Sequence, residues 1–387
     1  MRQIRLIVAA AVVLAAGFGS GPVRAGDFPC DGACEPGMIS IEKGDARISV
    51  GGQMQFQAAL YTGQDNLVAD GDPAQSEGFL VKRARIKLGG RLNKYLKFGL
   101  AEEMHDDEDS GGNLLDAWMD FTPTPLFGLK AGVVELAWTR SSLVSSAYQA
   151  CIDRPLSVKA MAPRRQAGAS IHSAMWEDRV KLQVGVYNAL HRGDSFYDGY
   201  QSIGQTLGNQ FTRFSYAARL DVSPLGEMDE PIPDIEKKDE LRVNLGGGYV
   251  FNDGAAQKIH AATGDLHVKW HGAAIFGGYI MESGSPADEP TVPLPDDLTA
   301  DYDRSAWFVE ADYTILKRLL GVHGRYEWID PYSTIDDEGD EAIATFGVSV
   351  YAMDHLLKFQ ADYQMRIERF GLTKDNDTLL TQMQLAF

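Results

Sequence analysis

The sequence predicts an all-β protein: a transmembrane antiparallel β-barrel of about 16 strands with a basic loop inside it. Three observations predict it. Most of the chain alternates apolar and polar residues with a period of two. The connections between alternating segments are by turns short and long, as in barrels whose turns lie on one side of a membrane and whose loops lie on the other. The chain closes on Met383-Gln384-Leu385-Ala386-Phe387, an alternating run with an aromatic carboxyl terminus.

Residues Met1 to Ala25 carry Arg2 and Arg5, run through apolar Leu6 to Ala16 and end on Val23-Arg24-Ala25, which reads as a secretory signal peptide cut before Gly26. Its apolar core is shorter than the roughly 20 residues that span a bilayer, and no later run is long enough for a transmembrane helix. Residues 26–46 read as a short periplasmic segment and 47–387 as the barrel, with outer-membrane lipid as its surroundings. Loss of Arg2, Arg5 and Arg24 takes the formal net charge from −18 to −21, which argues against nucleic acid as a partner. Cys30 and Cys34 form a small disulfide loop, remain two thiols or, least favoured, make a two-Cys metal site; the readings stay open, and Cys151 is left over. A metal can be read into the Cys30/Cys34 pair or the His267/His271 face, but the plain reading outweighs it at both, so neither metal nor cofactor is expected. None of the 8 histidines sits in a motif with a nucleophile, so the chain does not read as an enzyme.

The alternation opens at Arg47 to Tyr61, where Met54, Phe56, Ala58 and Leu60 take one face and Gln53, Gln55 and Gln57 the other. Phe79 to Leu92 is sharper, with Ala84, Ile86, Leu88 and Leu92 opposite Arg83, Arg85, Lys87 and Arg91. The same grammar covers Lys94 to Glu103, Leu114 to Thr122, Phe127 to Glu135, Gln166 to Ala174 and Arg179 to Asn188. It resumes at Thr212 to Ser223, Glu240 to Phe251, Thr263 to Trp270, Gly272 to Glu282 and Ser305 to Ile315. Arg318 to Ile329, Ala342 to Ala352, His355 to Ile367 and Thr378 to Phe387 complete the set. Segments of roughly ten residues suit tilted strands crossing a hydrocarbon core. Trp307, Trp328, Tyr313, Tyr326, Tyr351 and Tyr363 lie near strand ends, where aromatic belts form.

Short connections fall at Asn93-Lys94, Thr122 to Leu126, Trp176 to Asp178, His271-Gly272, Leu316-Lys317 and Met353 to His355. Long ones fall at Thr62 to Glu77, Met104 to Asn113, Ala189 to Phe211, Asn252 to Ala262, Ser283 to Arg304, Asp330 to Glu341 and Glu368 to Asp377. Pro224 to Asp239 is long where a turn is due, which marks either a slipped hairpin or a periplasmic insert.

Leu136 to Gly168 refuses the alternation. It holds Arg140, Arg154, Lys159, Arg164 and Arg165 against Asp153 alone, a sum of +4 in an acidic chain. The polar strand faces also lean basic, with the row Arg83, Arg85 and Lys87 the densest part. Basic side chains at a narrow, low-dielectric passage attract anions, whereas on a wide wall they merely keep it wet. Trp118, Trp138 and Tyr148 near this loop either stack on a solute or shape the loop, and His267, Lys269 and His271 share one strand face as polar lining.

The pieces Phe79 to Gly90 (FLVKRARIKLGG) and Leu143 to Gly168 (LVSSAYQACIDRPLSVKAMAPRRQAG) resemble the phosphate-selective porin O and P family. Arg83, Ala84 and Arg85 match its first motif; Ser145, Ser146, Ile152, Asp153, Arg154, Ala162, Pro163, Arg164 and Arg165 match its second. Leu115-Asp116-Ala117-Trp118 is similar to its fourth strand. Glu135-Leu136-Ala137-Trp138 stands where the family carries a Pro-Phe pair. The resemblance implies a homotrimer of 16-stranded porins in the outer membrane, with the third long loop, Leu136 to Arg165, folded into the lumen as a constriction. It further implies passage of small anionic solutes, phosphate or polyphosphate among them, with Arg83, Arg85, Lys87, Arg140, Arg154, Lys159, Arg164 and Arg165 as the anion-selecting set. The alternatives are a general or cation-preferring nutrient porin and a non-conducting barrel that acts as adhesin or tether.

Overall fold

The computed structural model describes residues 24–25, 38–61, 77–104, 114–193, 196–197, 199–200, 213–287, 300–336, 339–370 and 376–387. The leader expected over 1–25, apart from its last two residues, and the pair Cys30 and Cys34 lie outside them.

One antiparallel sheet closes on itself. Its sixteen barrel strands are β1 Ala46–Tyr61, β2 Gly78–Arg91, β3 Leu96–Glu103, β4 Leu114–Thr124, β5 Phe127–Glu135, β6 Arg165–Met175, β7 Val180–Asn188 and β8 Phe214–Val222, followed by β9 Arg242–Asp253, β10 Gln257–Trp270, β11 Ala273–Pro286, β12 Tyr302–Leu316, β13 Leu320–Asp330, β14 Glu341–His355, β15 Leu357–Glu368 and β16 Thr378–Ala386. Each strand bonds to its neighbours in sequence, and β16 returns to β1 through Thr378↔Tyr61 to Ala386↔Gln53. A short strand, Ile39–Lys43, folds back on the start of β1 and continues the sheet below the seam. Closure leaves no edge strand inside the bilayer, where an unpaired backbone group costs several kcal/mol.

The polar face points inward and the apolar face outward. On β1, Gln53 and Gln55 are fully buried inside while Phe56 and Leu60 are exposed outside. On β16, Gln382 and Gln384 face in while Met383 and Leu385 face out. In water each such outward side chain would forgo about 1.5–3 kcal/mol of burial; against lipid the loss disappears, which is why the inverted arrangement belongs to a membrane barrel. Trp307 and Trp328 are cross-strand partners on the outer face, with Tyr326 5.5 Å from Trp307. Tyr351 departs from the aromatic belt expected of it: it points inward and is buried, because the odd positions of β14 face the lumen.

Two connections differ from the reading of the sequence. Asn252 to Ala262 is not a long loop: β9 runs to Asp253, β10 starts at Gln257, and only Gly254 to Ala256 lie between. The alternation there is inverted, with Ile259 and Ala261 buried inside and His260 exposed outside, so a polar-in rule does not find the strand. Between β8 and β9 the hairpin keeps its register, Val222↔Leu245, so residues 223–241 are an insert on the short-turn side rather than a slipped pairing.

Candidate constriction site

After β5 the chain crosses the lumen. A four-residue helix, α1 Arg140–Leu143, is capped by Thr139, whose hydroxyl accepts from the Ser142 N–H at 3.1 Å. A 3-10 turn follows at Ser146–Tyr148, then α2 Leu156–Met161, which begins after Pro155 where a missing N–H costs nothing. The Arg154 guanidinium donates to the carbonyls of Ser141 at 2.8 Å and Val144 at 2.6 Å, closing the end of α1.

The barrel wall satisfies much of this segment's backbone. Gln55 donates to the Ser146 carbonyl at 3.4 Å and Gln384 to that of Ala147 at 3.2 Å. Lys358 donates to Gln149 at 2.9 Å, Gln360 to Ala150 at 2.6 Å and Arg325 to Asp153 at 2.8 Å, all at carbonyl oxygens. In return the carboxylates of Asp362 and Glu327 accept from the N–H groups of Ile152 at 2.8 Å and Ser157 at 3.2 Å. A buried irregular segment leaves many polar groups that helices or sheets would pair, and here inward-facing side chains pair them.

Apolar packing completes the attachment. Leu136, Trp138, Val144, Tyr148, Leu156, Val158 and Met161 form one cluster with Val250, Ile259, Phe276, Ile280, Phe308, Ile329 and Ile343 from the inner wall. This explains the inverted start of β10. Gly248 lets the loop in: a Cβ there would stand 2.8 Å from the Trp138 carbonyl oxygen. Trp138 and Tyr148 are buried in this cluster and shape the loop, while Trp118 lies under the Lys130 ammonium at 4.0 Å.

One half of the lumen is thereby filled, and its arginines are mated. Arg219 pairs with Asp265 at 2.8 Å, Arg325 with Glu310 at 3.4 Å and Arg366 with Glu341 at 2.9 Å. The other half, β2 to β7, faces a gap. A bulge in β2 opposite Gln55 and Phe56 carries Lys82 beside the Arg83 row. Arg83 donates to Gln55 Oε1 at 2.6 Å, and Arg85 pairs with Glu103 at 2.7 Å. Arg165, at the start of β6, is held between Asp116 at 2.9 Å and Glu135 at 3.1 Å. From the loop, Lys159 reaches Asp153 at 3.1 Å. Burial pushes the Asp153 carboxyl up, but Lys159, Lys82 and Arg83 outweigh it and hold the group well below the usual carboxylate range. Burial lowers the Lys159 ammonium to about 8 against the pull of Asp153.

Of the eight residues singled out in the sequence, Arg83, Arg85, Arg154, Lys159 and Arg165 therefore meet around one gap. Arg164 is half-buried beside Arg165, and Lys87 follows Arg85 along the wall, opposite Gly51 and Ala101. Arg140 stands apart, its Nε donating to His267 Nδ1 at 3.0 Å and its backbone N–H to Asp265 at 3.1 Å. His267 also meets the Ile232 carbonyl at 3.0 Å, whereas His271 sits in a turn beside Asp239 at 3.1 Å, so these histidines do not converge. Lys82 and Glu135 join the gap unannounced. Lys82 reads as outward by strict alternation, and only the bulge turns it toward Asp153 and Lys159.

Below the gap the passage opens into a cavity of about 1400 Å³ between the β3–β7 wall and residues 223–241. The wall side carries Lys97, Lys130, His172 and Lys181; the insert side carries Glu227, Asp229 and Glu230. The insert braces the loop from below, the Ile232 N–H donating to the Tyr148 carbonyl at 3.0 Å and the Ser145 N–H to Glu230 at 3.1 Å. Asp229 lies between Lys269 at 2.8 Å and Lys238 at 3.0 Å; burial raises its carboxyl, and these two ammonium groups override that and keep it ionised. Asp234 accepts from the Gly272 N–H at 2.7 Å and ties the insert to the β10–β11 turn.

The model of the family described as phosphate-selective porin O and P matches residues 49–224. No curated protein matches the sequence. Among solved structures the chain is similar to an anion-selective porin from Comamonas acidovorans (TM-score 0.57, 13% identity, 88% of this chain and 100% of that one). It is also similar to the trimer form of OmpT, an outer-membrane protein of Vibrio cholerae (0.54, 12%, 88% and 99%), and to the outer-membrane channel DcaP of Acinetobacter baumannii (0.55, 12%, 89% and 99%). At these identities the likeness is one of fold.

Proposed function

From the premise that this chain is an outer-membrane porin similar to the phosphate-selective porin O and P family, we propose that it is a passive channel preferring small anions, phosphate among them, and that it works as a homotrimer. The observation that carries the reading is the asymmetry of the lumen. On the filled half, the bases Arg219, Arg325 and Arg366 are each held by a buried carboxylate, so no basic surplus faces the passage there. On the open half, Lys82, Arg83, Arg85, Lys87, Arg165 and Lys159 outnumber Glu103, Asp116, Glu135 and Asp153 around the gap. A passing ion therefore meets a basic surplus where the channel is narrow and the field least screened.

The two guanidinium groups of Arg83 and Arg85 add fork geometry that suits oxyanions better than chloride, because several N–H donors converge on one tetrahedral anion. Arg140 and Arg154 contribute by holding the loop. The Comamonas porin is described as anion-selective, and the Vibrio protein occurs as a trimer; both descriptions support the reading.

The test is the zero-current potential of the reconstituted protein in a planar bilayer across a KCl gradient, repeated with phosphate. The expected sign is that of a chloride-preferring pore, with phosphate carrying measurable current. A cation-preferring sign, set by Glu227, Asp229 and Glu230 at the exit, overturns it.

pH gives a second expected outcome. With a folded pKa of about 8, below the ordinary 10.5, Lys159 loses its charge as pH rises from about 7 to about 9, while Asp153 stays ionised. Anion preference should decline severalfold over that interval. Over the same window the folded chain binds fewer protons at Lys159 than the unfolded chain, so this group adds stability as pH rises. Lys159→Arg should flatten the pH dependence of the zero-current potential. A profile unchanged by that substitution would remove Lys159 from the gap.

A further inference from the structure

Where the loop crosses β12 to β15, it brings a thiol to residues that are far apart in the chain. Cys151 is fully buried, and its sulfur, a ring nitrogen of His323 and a carboxylate oxygen of Asp362 all lie within 4.8 Å of one another. His323 Nε2 is 2.8 Å from Asp362 Oδ1. Glu310 lies beside Cys151, buried, with its carboxylate in hydrogen-bonding reach of the thiol and its Oε1 given no N–H donor. Thiol, imidazole and carboxylate together form the donor set of borderline-soft divalent ions, zinc above all, and such an ion takes four donors in a small sphere.

We propose that Cys151, His323 and Asp362 bind one divalent transition-metal ion of the zinc class, with Glu310 as the fourth donor. Three features favour a site over simple packing. The donors come from the loop and from three strands, so one ion would cross-link the constriction to the wall. The acids Glu310, Glu327 and Asp362 outnumber the neighbouring cations Arg325 and Lys358, so an ion enters an acidic surplus. The Glu310 carboxylate stands within hydrogen-bonding reach of the Cys151 thiol, so a fourth donor is already beside the first.

Binding is not redox chemistry. The Cys151 S–H bond breaks and its proton leaves to solvent, the His323 imidazole passes its Nε2 proton to Nδ1 by way of solvent, and the freed sulfur and Nε2 lone pairs enter bonds to the ion, which takes the place of the His323–Asp362 hydrogen bond. Burial pushes the Cys151 thiol well up, with the Glu310 charge adding to it, and metal binding releases its proton.

The test uses the full chain with Cys30→Ser and Cys34→Ser, so that Cys151 is the one thiol left, folded into detergent with Co²⁺ as the probe. One cobalt per chain should survive dialysis and show a thiolate-to-cobalt charge-transfer band. Cys151→Ser should abolish the band and weaken retention at least tenfold. His323→Gln, which keeps a donor toward Asp362, should also weaken retention at least tenfold in a barrel that still migrates as folded, and it stands in if the serine variant fails to fold. No retained cobalt, or cobalt held without the band and equally by His323→Gln, overturns the proposal.

Discussion

Reversing two charges, Lys82→Glu with Arg83→Glu, should turn the proposed anion preference into a cation preference. Both residues stand at the β2 bulge, facing Asp153 and Lys159 across the gap. A unit charge about 6 Å from a passing ion, at an effective dielectric constant near 20, acts with roughly 2–3 kcal/mol before salt screening. Screening removes about half of this at about 0.1 M salt, and each reversal counts twice, so a change of at least tenfold in the anion-to-cation permeability ratio is expected. Zero-current potential in a KCl gradient reads it directly. Arg140→Gln is the control: Arg140 is tied to His267 and the insert rather than to the gap, so selectivity should hold while thermal stability falls. An unchanged potential in the double variant would show that current passes elsewhere.

Arg154→Ala should loosen the loop more than it alters selectivity. Its guanidinium closes α1 through the carbonyls of Ser141 and Val144, and without it the first is left without this donor in a buried place and the second keeps only the long bond from Gln149 at 3.4 Å. Hydrogen bonds from a charged donor contribute about 1.5–3 kcal/mol each, so local stability should drop by about 3 kcal/mol. Faster hydrogen exchange at Ser142 to Ser145 and larger open-channel current noise are the readouts. Arg154→Lys should recover only part of the loss, because an ammonium lacks the planar fork that reaches two carbonyls. A quiet channel with a strongly shifted zero-current potential would instead make Arg154 a selecting residue.

The strands were legible because a membrane barrel imposes the same two-residue period on every element, from Gln53/Phe56 on β1 to Gln384/Leu385 on β16. The meeting of Arg83 and Arg85 with Arg165 could also be anticipated, through motif resemblance. Three things stayed hidden for physical reasons. A glutamine that binds a loop carbonyl looks the same in sequence as one that binds water, so the filled half of the lumen could not be told from the open half. The bulge at Lys82 is a matter of register, set by β1 as much as by β2. Ile259 and Tyr351 break the polar-in rule because what they face is loop and wall, brought close only by folding.

The seam between the first and last strands gives the loop a role in assembly. Gln55 bonds to Gln384 across the seam at 2.6 Å and to the Ser146 carbonyl, Gln53 donates to the Ser146 hydroxyl at 3.0 Å, and Gln384 donates to the Ala147 carbonyl. Two chain ends separated by the whole barrel thus share one anchor near its middle. Bringing such ends together is the most entropically expensive event in forming the barrel, since it fixes the longest stretch of chain at once. With Ser146 and Ala147 as a common landing place, seating the loop and sealing the cylinder become one cooperative step: a ring closed without its loop would have its seam held by backbone pairing and the Gln55–Gln384 and Gln57–Gln382 bonds, with nothing tying it to the barrel's middle.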